Sequence, residues 1–439
     1  MAEKGMPMYF AFSRTRLGRA VAATCGVSAL LALSATAGSS AAAVDPPSRG
    51  SVTSRGGAVI TVTTAKVGAP GNRSVGIIPF KDAVYRSCAE APATSTGCLM
   101  VGGVGYPYEI GQLEVTVEQW VAFLNTVDPG GRNRLGLYED TESSSAWPKY
   151  GQINLTADAA DGRHYSVASP EWAHKPYGFA NFLEAARFVN SLDNGRLISK
   201  RSGSNGGFSY VTYQVELSAR TERGMYDLAR PDATRTRDAG FVVPSQNEWI
   251  KAAYYDPGGG TYSYWKYPTN AGVFGDGDDS APSPTVLNPT TGDVTNAATQ
   301  PLASYHDTGL PAPSWCPAPV LPEACSTVNP IGLDPITYPE IYQGSLSTVG
   351  QARTTSPWGT LDQGGNAVEW TDTITDAPSG RDSGRVWRRL HGGISNAEAF
   401  QLWLSAVGLQ PQDNVFYNHT YPWLGFRIGV IGDLASGTS

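Results

Sequence analysis

Residues 356–370 read Ser-Pro-Trp-Gly-Thr-Leu-Asp-Gln-Gly-Gly-Asn-Ala-Val-Glu-Trp. Two carboxylates, Asp362 and Glu369, bracket a turn that contains adjacent glycines. Because glycine adopts backbone conformations that other residues avoid, such a turn can point its carbonyl groups inward. The chain before the turn, residues 259–362, is rich in Pro, Gly, Thr, Asn and aromatic residues and shows little periodicity. This composition predicts irregular chain joined by turns.

Three amphipathic helices are predicted upstream of this turn. The first covers residues 117–124, and its N-cap Thr116 is followed three residues later by Gln119, which is the capping-box pattern. The second covers residues 182–190 and ends at an Asp-Asn-Gly sequence. The third covers residues 245–255, where Ser and Glu again stand three apart at the start. These apolar spacings and caps predict helices that bury one face.

Strand signals are short, at residues 386–390 and 426–430, and no internal repeat is visible. The 50 Gly and 31 Pro residues, with charged residues at only 16%, argue against a helical bundle. The 11 Trp, 21 Tyr and 13 Phe residues argue against intrinsic disorder. The sequence therefore predicts one large α+β domain.

Six motifs then appear in the order of a known family, over about residues 100–430. They are Glu114-Val115-Thr116 with Phe123-Leu124-Asn125, residues 175–179 with 185–190, residues 241–253, residues 356–370, His391-Gly392-Gly393 and Gly425-Phe426-Arg427-Ile428. The chain resembles the formylglycine-generating enzyme, or sulfatase-modifying factor, family. The resemblance implies a variant of the C-type lectin fold, with a small twisted antiparallel sheet, a few helices and much irregular chain.

The resemblance does not extend to the copper site of that family. Its founding enzymes oxidise a sulfatase cysteine to formylglycine, and two cysteines in a C-x-x-x-x-C arrangement hold Cu(I) through soft sulfur ligands. The corresponding positions here are Ala397 and Leu402, and no cysteine follows Cys325. We therefore expect no copper and no catalytic residues of this type, and we lean towards a protein that is not an enzyme. An oxidoreductase of the superfamily with unassigned chemistry stays open as the alternative.

A structural Ca²⁺ site is also implied by the resemblance, at Asp362, Gly365, Ala367 and Glu369. Carboxylate and carbonyl oxygens are the hard ligands that Ca²⁺ prefers. The alternative is that Asp362 caps the turn and Glu369 pairs with an arginine, either Arg388 or Arg427. Both interpretations stay open.

His391 replaces the arginine that usually precedes the Gly-Gly pair in the family. It could act as a general base, but a single His without a partnered nucleophile favours a structural role.

The segment between residues 401 and 423 combines aromatic side chains with short amides. Its candidate ligand-binding residues are Trp403, Asn414, Phe416, Tyr417, His419, Tyr421 and Trp423. In the lectin-like fold that the resemblance implies, loops before the last strand form the exposed ligand surface. Aromatics with amides are typical of rigid, adaptable binding faces. We expect a secreted binding or scaffold module for a protein or carbohydrate ligand. The alternative is that half of these aromatics fill the core.

The N-terminus predicts export. Arg14, Arg16 and Arg19 precede an apolar run and small residues through Ala43, the order of a secretory signal. We predict a signal peptide at 1–43, a leader at 44–75 that is a linker or an edge strand, the domain at 76–432 and a disordered tail at 433–439. No later apolar stretch reaches the roughly 20 residues of a membrane span. The mature protein is then secreted, periplasmic or extracellular.

Cysteine number and charge agree with an exported protein. After cleavage four cysteines remain, and of three connectivities we favour the neighbour pairs Cys88–Cys98 and Cys316–Cys325. The 439-residue chain has a net charge of −7, and losing four basic residues and one acidic residue with the signal gives −10. This acidity argues against a general nucleic-acid binder.

Overall fold

The computed structural model describes residues 57–81, 83–93, 97–139, 143, 152–259, 263–269, 281–288, 291–296, 301–305, 346–377, 384–393, 395, 399–413 and 424–434. The chain divides into two compact units, 1–49 and 50–439, and all described residues belong to the second. The predicted signal peptide at 1–43 and residues 435–439 of the predicted tail lie outside the described residues.

The described chain contains helices and strands in mixed order, so the α+β prediction is confirmed. The helices are α1 (Val117–Val127), α2 (Phe182–Asp193) and α3 (Gln246–Tyr254). The strands are β1 (Val59–Val67), β2 (Val75–Ile77), β3 (Val84–Tyr85), β4 (Leu99–Val101), β5 (Tyr108–Gly111), β6 (Ile153–Leu155), β7 (Tyr165–Val167), β8 (Arg196–Asn205), β9 (Phe208–Glu216), β10 (Gly240–Val242), β11 (Ser283–Pro284), β12 (Leu302–Ala303), β13 (Val368–Thr375), β14 (Trp387–His391), β15 (Gly408–Pro411), β16 (Leu424–Gly425) and β17 (Gly429–Ile431).

All three predicted helices are present, and the capping boxes expected for α1 and α3 are confirmed. In α1 the Thr116 side chain accepts a hydrogen bond from the backbone N–H of Gln119, and the Gln119 side-chain oxygen accepts one from the backbone N–H of Thr116. The caps of α2 and α3 have the same reciprocal geometry. These caps satisfy backbone N–H groups that have no partner inside the helix.

The largest sheet has six strands in the order β10-β17-β5-β1-β9-β8. Strand β1 is internal, because Thr64 lies opposite Gly111 of β5 on one side and Val211 of β9 on the other. The interpretation of residues 44–75 as a linker or edge strand is therefore wrong for β1. Both edges of β1 are hydrogen-bonded to neighbouring strands, so the domain includes this strand.

A four-stranded sheet follows the order β15-β14-β13-β16, in which β13 pairs antiparallel with β14 and parallel with β16. Smaller sheets are β3-β2-β4, β6-β7 and β11-β12. The two strand predictions hold in part. Strand β14 lies one residue later than the predicted 386–390, and β17 covers only the end of 426–430.

Aromatic side chains from separate elements form the core between α1 and α2. The ring of Trp120 stacks on that of Tyr177 at a centroid distance of 4.3 Å and on that of Phe188 at 5.8 Å. Phe426 meets Trp120 and Phe188 edge to face. Such stacked and edge-to-face pairs add to the stabilisation from burial. Within the described chain, no helix has the length and apolarity needed to cross a membrane.

Candidate functional site

The turn within residues 356–370 has an unusual backbone. Asp362 and Asn366 have φ values of 56° and 60°, and Gly365 has 87°. A Cβ atom added to Gly365 would lie 2.0 Å from the carbonyl oxygen of Ser304, so only glycine fits there. The N–H of Asn366 donates to that same carbonyl at 2.7 Å. Contacts with Ser304 thus hold the turn in a left-handed backbone conformation that residues other than glycine rarely adopt.

Glu369 is the meeting point of three of the six motifs. Arg427 donates to both carboxylate oxygens, from Nη2 at 2.5 Å and from Nε at 2.6 Å. The indole N–H of Trp249 donates to Oε2 at 2.7 Å. Of the two arginines considered for Glu369, Arg427 is therefore its partner. Arg388 instead donates to the carbonyl oxygens of Asp232, Ala233 and Asp372 and to the side chain of Gln412.

Only one of the two carboxylate oxygens of Asp362 has a hydrogen-bond partner among the described residues. Its Oδ2 accepts a hydrogen bond from the backbone N–H of Gly350, which lies twelve residues earlier, so this contact joins two separate parts of the chain and does not cap the turn of residues 362–369. Its Oδ1 is buried and has no hydrogen-bond partner in the described chain. Burial raises the pKa of Asp362 to about 6, although the Gly350 contact and Arg427 act in the opposite direction.

Glu114 is a third carboxylate of this site, and the sequence reasoning missed it. Its Oε1 accepts from the N–H of Ala367 at 3.2 Å, and its Oε2 accepts from the Asn366 side chain at 3.3 Å. Burial, with the charges of Asp362 and Glu369, raises the pKa of Glu114 well above its usual value. The sequence signal for it is the Glu114-Val115-Thr116 motif, the first of the six motifs of the family resemblance.

The carboxylates carry more negative charge than the guanidinium balances. Glu114, Asp362 and Glu369 face Arg427, so the ionised set has an excess of two negative charges. The unpartnered Oδ1 of Asp362 fits a cation ligand, whereas the Glu369 oxygens are already engaged. Within the described residues, no group of three His, Cys, Asp or Glu side chains has an arrangement that could hold a metal ion. Of the two carboxylates expected to bind Ca²⁺, only Asp362 has an oxygen without a hydrogen-bond partner among the described residues.

His391 lies beside this cluster. Its ring stacks on Trp249 at a centroid distance of 5.2 Å, and its Nε2 is buried without a hydrogen-bond partner in the described part of the chain. Burial, and to a lesser extent the charge of Arg389, lowers the pKa of His391 to about 3. The imidazole is therefore neutral near neutral pH and accepts a proton poorly. This geometry favours the packing role over general-base catalysis.

Leu402, which the resemblance equates with the second cysteine of the family pair, is part of an apolar cluster. Leu402 is fully buried with Tyr267, Ala303 and Tyr305. Its carbonyl oxygen accepts a hydrogen bond from the hydroxyl of Tyr254 at 2.9 Å. The Leu402 side chain thus has a packing role in this cluster. The first position, Ala397, lies outside the described residues.

A family model for the sulfatase-modifying factor enzyme 1-like domain matches residues 103–428. The chain belongs to this family. Among solved structures, it is similar to CarF, at 16% identity over 85% of this chain and 99% of that chain, with a TM-score of 0.35. It is also similar to PvdO from Pseudomonas aeruginosa, at 10% identity over 86% of this chain and 95% of that chain, with a TM-score of 0.33. No curated protein matches.

Of the candidate ligand-binding residues, Trp403 lies in the described part of this sulfatase-modifying factor domain. Trp403 is partly buried against the Leu402 cluster, and its indole N–H donates to the hydroxyl of Tyr267 at 2.8 Å. The ammonium of Lys266 lies 4.8 Å from the Trp403 ring centroid. These contacts favour the core-packing alternative for Trp403. The other candidates, Asn414, Phe416, Tyr417, His419, Tyr421 and Trp423, lie outside the described residues.

The two ends of that segment are tied to the sulfatase-modifying factor domain. The buried Gln412 donates from its side chain to the carbonyl of Pro231 at 2.6 Å, and its own carbonyl accepts from the N–H of Phe182 at 3.1 Å. At the other end, the N–H of Leu424 donates to the carbonyl of Gly178 at 2.7 Å. The segment between residues 412 and 424 therefore starts and ends at fixed points.

Cys88 and Cys98 are joined by a disulfide, as in the favoured pairing. The other predicted pair, Cys316 and Cys325, lies outside the described residues.

Proposed function

We propose that this sulfatase-modifying factor domain is an exported binding module that does not perform copper–thiolate oxidation. The sequence has no cysteine after Cys325. Leu402 stands at one of the two copper-ligand positions and is packed among Tyr267, Ala303 and Tyr305. Because Cu(I) in proteins depends on soft sulfur ligands, this replacement supports a function other than oxidation of a substrate cysteine.

Binding is proposed to occur through the segment between β15 and β16. The observation that carries the proposal is that both strands belong to one four-stranded sheet, at its two opposite edges. A segment fixed at both ends loses less conformational entropy when it binds a ligand. Its aromatic and amide side chains suit an extended protein or carbohydrate surface. The basic, apolar and small-residue order of residues 14–43 supports export as the setting for such a module.

A Ca²⁺ ion is proposed to stabilise the turn of residues 362–369. Support comes from the unpartnered Oδ1 of Asp362 and from Glu114, whose raised pKa reflects the burial and the neighbouring carboxylates that a cation would offset. In this proposal, Asp362 contributes a carboxylate oxygen, the carbonyls of Gly365 and Ala367 contribute two more, and Glu369 contributes through the one lone pair that its hydrogen bonds with Arg427 and Trp249 leave free. The ion would relieve the repulsion among the carboxylates, a role in stability rather than in chemistry.

The binding proposal is tested with a glycan and protein array probed by the full chain and by Tyr417→Ala and Tyr421→Ala. An exposed aromatic at a binding surface costs about 2 kcal/mol or more when truncated, so at least one variant should lose its array signal. Both variants should melt at nearly the wild-type temperature. Tyr417→Phe and Tyr421→Phe are the matched controls, since they keep the rings.

Trp370→Ala gives the contrasting behaviour of a core aromatic. Trp370 is fully buried and donates to the carbonyl of Ala180 at 2.7 Å, so its loss should cost about 3–5 kcal/mol of stability. Early unfolding of both tyrosine variants would place those residues in the core and refute binding through this segment.

A further inference from the structure

Two Asn-Gly dipeptides occur in the chain, Asn194-Gly195 and Asn205-Gly206. This dipeptide is chemically labile, because glycine leaves the following backbone nitrogen unshielded and mobile enough to attack the Asn side-chain amide. The reaction requires an accessible glycine N–H and a free Asn side chain. The structure places the two dipeptides in very different surroundings.

Asn205 ends β8, and Gly206 and Gly207 form a two-residue hairpin turn to β9. Their φ values are 60° and 87°, both positive as in a type I′ turn. Asn205 lies opposite Phe208, so the N–H of Gly206 is inside the turn and outside the strand ladder. Asn205, Gly206 and Gly207 are all exposed, and a Cβ on Gly206 would meet nothing closer than a Phe208 ring carbon at 3.9 Å. The Asn205 side chain makes no hydrogen bond with any described residue.

Asn194 caps the C-terminus of α2 and is held in place. Its side-chain amide donates to the carbonyls of Arg220 at 2.8 Å and Arg223 at 2.6 Å. The N–H of Gly195 donates to the carbonyl of Leu192 at 3.0 Å. A Cβ on Gly195 would lie 2.4 Å from the carbonyl oxygen of Glu216, so this glycine has no free space around it. Both reacting groups are therefore occupied.

We infer that Asn205 is a site of spontaneous deamidation and that the fold protects Asn194. The backbone nitrogen of Gly206 forms a bond to Cγ of Asn205, and the bond from Cγ to Nδ2 breaks. Ammonia leaves with the proton that the Gly206 nitrogen gives up, and a cyclic imide remains. Water then opens the imide to give aspartate or isoaspartate at position 205. Strand β8 carries Arg196, Lys200 and Arg201 and no acidic residue, so the product places a negative charge on a basic strand.

The test is peptide mapping of the full chain after incubation in mildly alkaline buffer, with the two Asn-Gly peptides followed in the same digest. Because the Asn194 contacts must break before its ring can close, Asn205 should convert at least about ten times faster. An isoaspartyl methyltransferase should label the Asn205 peptide, and Asn205→Gln should abolish that label.

Incubation in concentrated urea separates the fold from the local sequence. Both dipeptides are then free, and the two conversion rates should become similar. Equal rates in the folded chain would overturn the inference. So would a rate difference of the same size in urea, because protection would then not come from the structure.

Discussion

Arg427 and Glu369 form an ion pair with two hydrogen bonds, and both side chains are fully buried. Arg427 also donates to the backbone carbonyls of Gly111 at 2.9 Å and Leu361 at 3.1 Å. The pair therefore joins the end of β5, the turn and the Gly-Phe-Arg motif. A buried charge pair of this kind stabilises a fold only while both partners are present.

Removal of one partner of this pair should be severe. Arg427→Met should lower the free energy of unfolding by about 3–5 kcal/mol, because Glu369 would stay buried beside Glu114 and Asp362 without a counter-charge. Urea denaturation measures the change. Arg187→Met is the matched control, since its partner Glu222 is half exposed, and its loss should be under about 1 kcal/mol. Equal small losses in the two variants would contradict a stabilising role for the buried pair.

Calcium should raise the melting temperature. A ligand that binds only the native state stabilises it by mass action, so a chelator should lower the melting temperature of the wild-type protein. Asp362→Asn should lose this response because it removes the charge of the carboxylate whose Oδ1 has no partner. Asp161→Asn is the control, since that side chain is 92% exposed. A melting curve that does not change with chelator would contradict the Ca²⁺ site and leave the ion-pair interpretation standing.

The calcium-free protein should show a pH dependence from Asp362. Its pKa is raised from 3.8 to about 6 in the folded state, so the folded protein binds the proton more tightly than the unfolded chain. The contribution of Asp362 to the free energy of unfolding is greatest below pH 3.8, falls as the pH rises to about 6 and is constant at higher pH. The fall should be up to about 3 kcal/mol.

The comparison with Asp362→Asn isolates this contribution. As the pH rises from 3.8 to about 6, the wild-type protein should lose stability relative to the Asp362→Asn variant. Calcium should weaken the shift, because the ion favours the ionised carboxylate. A difference that does not change with pH would show that Asp362 has an ordinary pKa in the folded protein.

Copper-dependent oxidase activity is expected to be absent. The protein is incubated with Cu(I) and a peptide containing C-x-P-x-R, and the peptide mass is followed. Without a cysteine at position 397 or 402, no conversion of the peptide cysteine to formylglycine should occur. A family enzyme with both cysteines serves as the positive control. Formation of formylglycine by this chain would refute the proposed function and favour the oxidoreductase alternative.

Capping residues and apolar spacing predicted the three helices, whereas the features that the sequence did not predict depend on contacts between distant parts of the chain. The capping boxes of α1 and α3 are complete within four residues, so the sequence contains all the information needed. The internal position of β1 depends on pairing with β9, whose residues follow about 150 positions later, and no local pattern encodes that. Glu114 was missed for the same reason, because it meets Ala367 across 253 positions.

The four-stranded sheet has a consequence for how this domain can diversify. Strands β15 and β16 are separated by three strand spacings, a distance of about 14 Å. The twelve residues 412–423 between them can extend to about 40 Å, so the connection has more length than the crossing needs. Insertions and exchanges in its middle would leave both strand registers intact. The segment could therefore accept a grafted peptide, and selection for a new ligand could proceed there without new demands on folding.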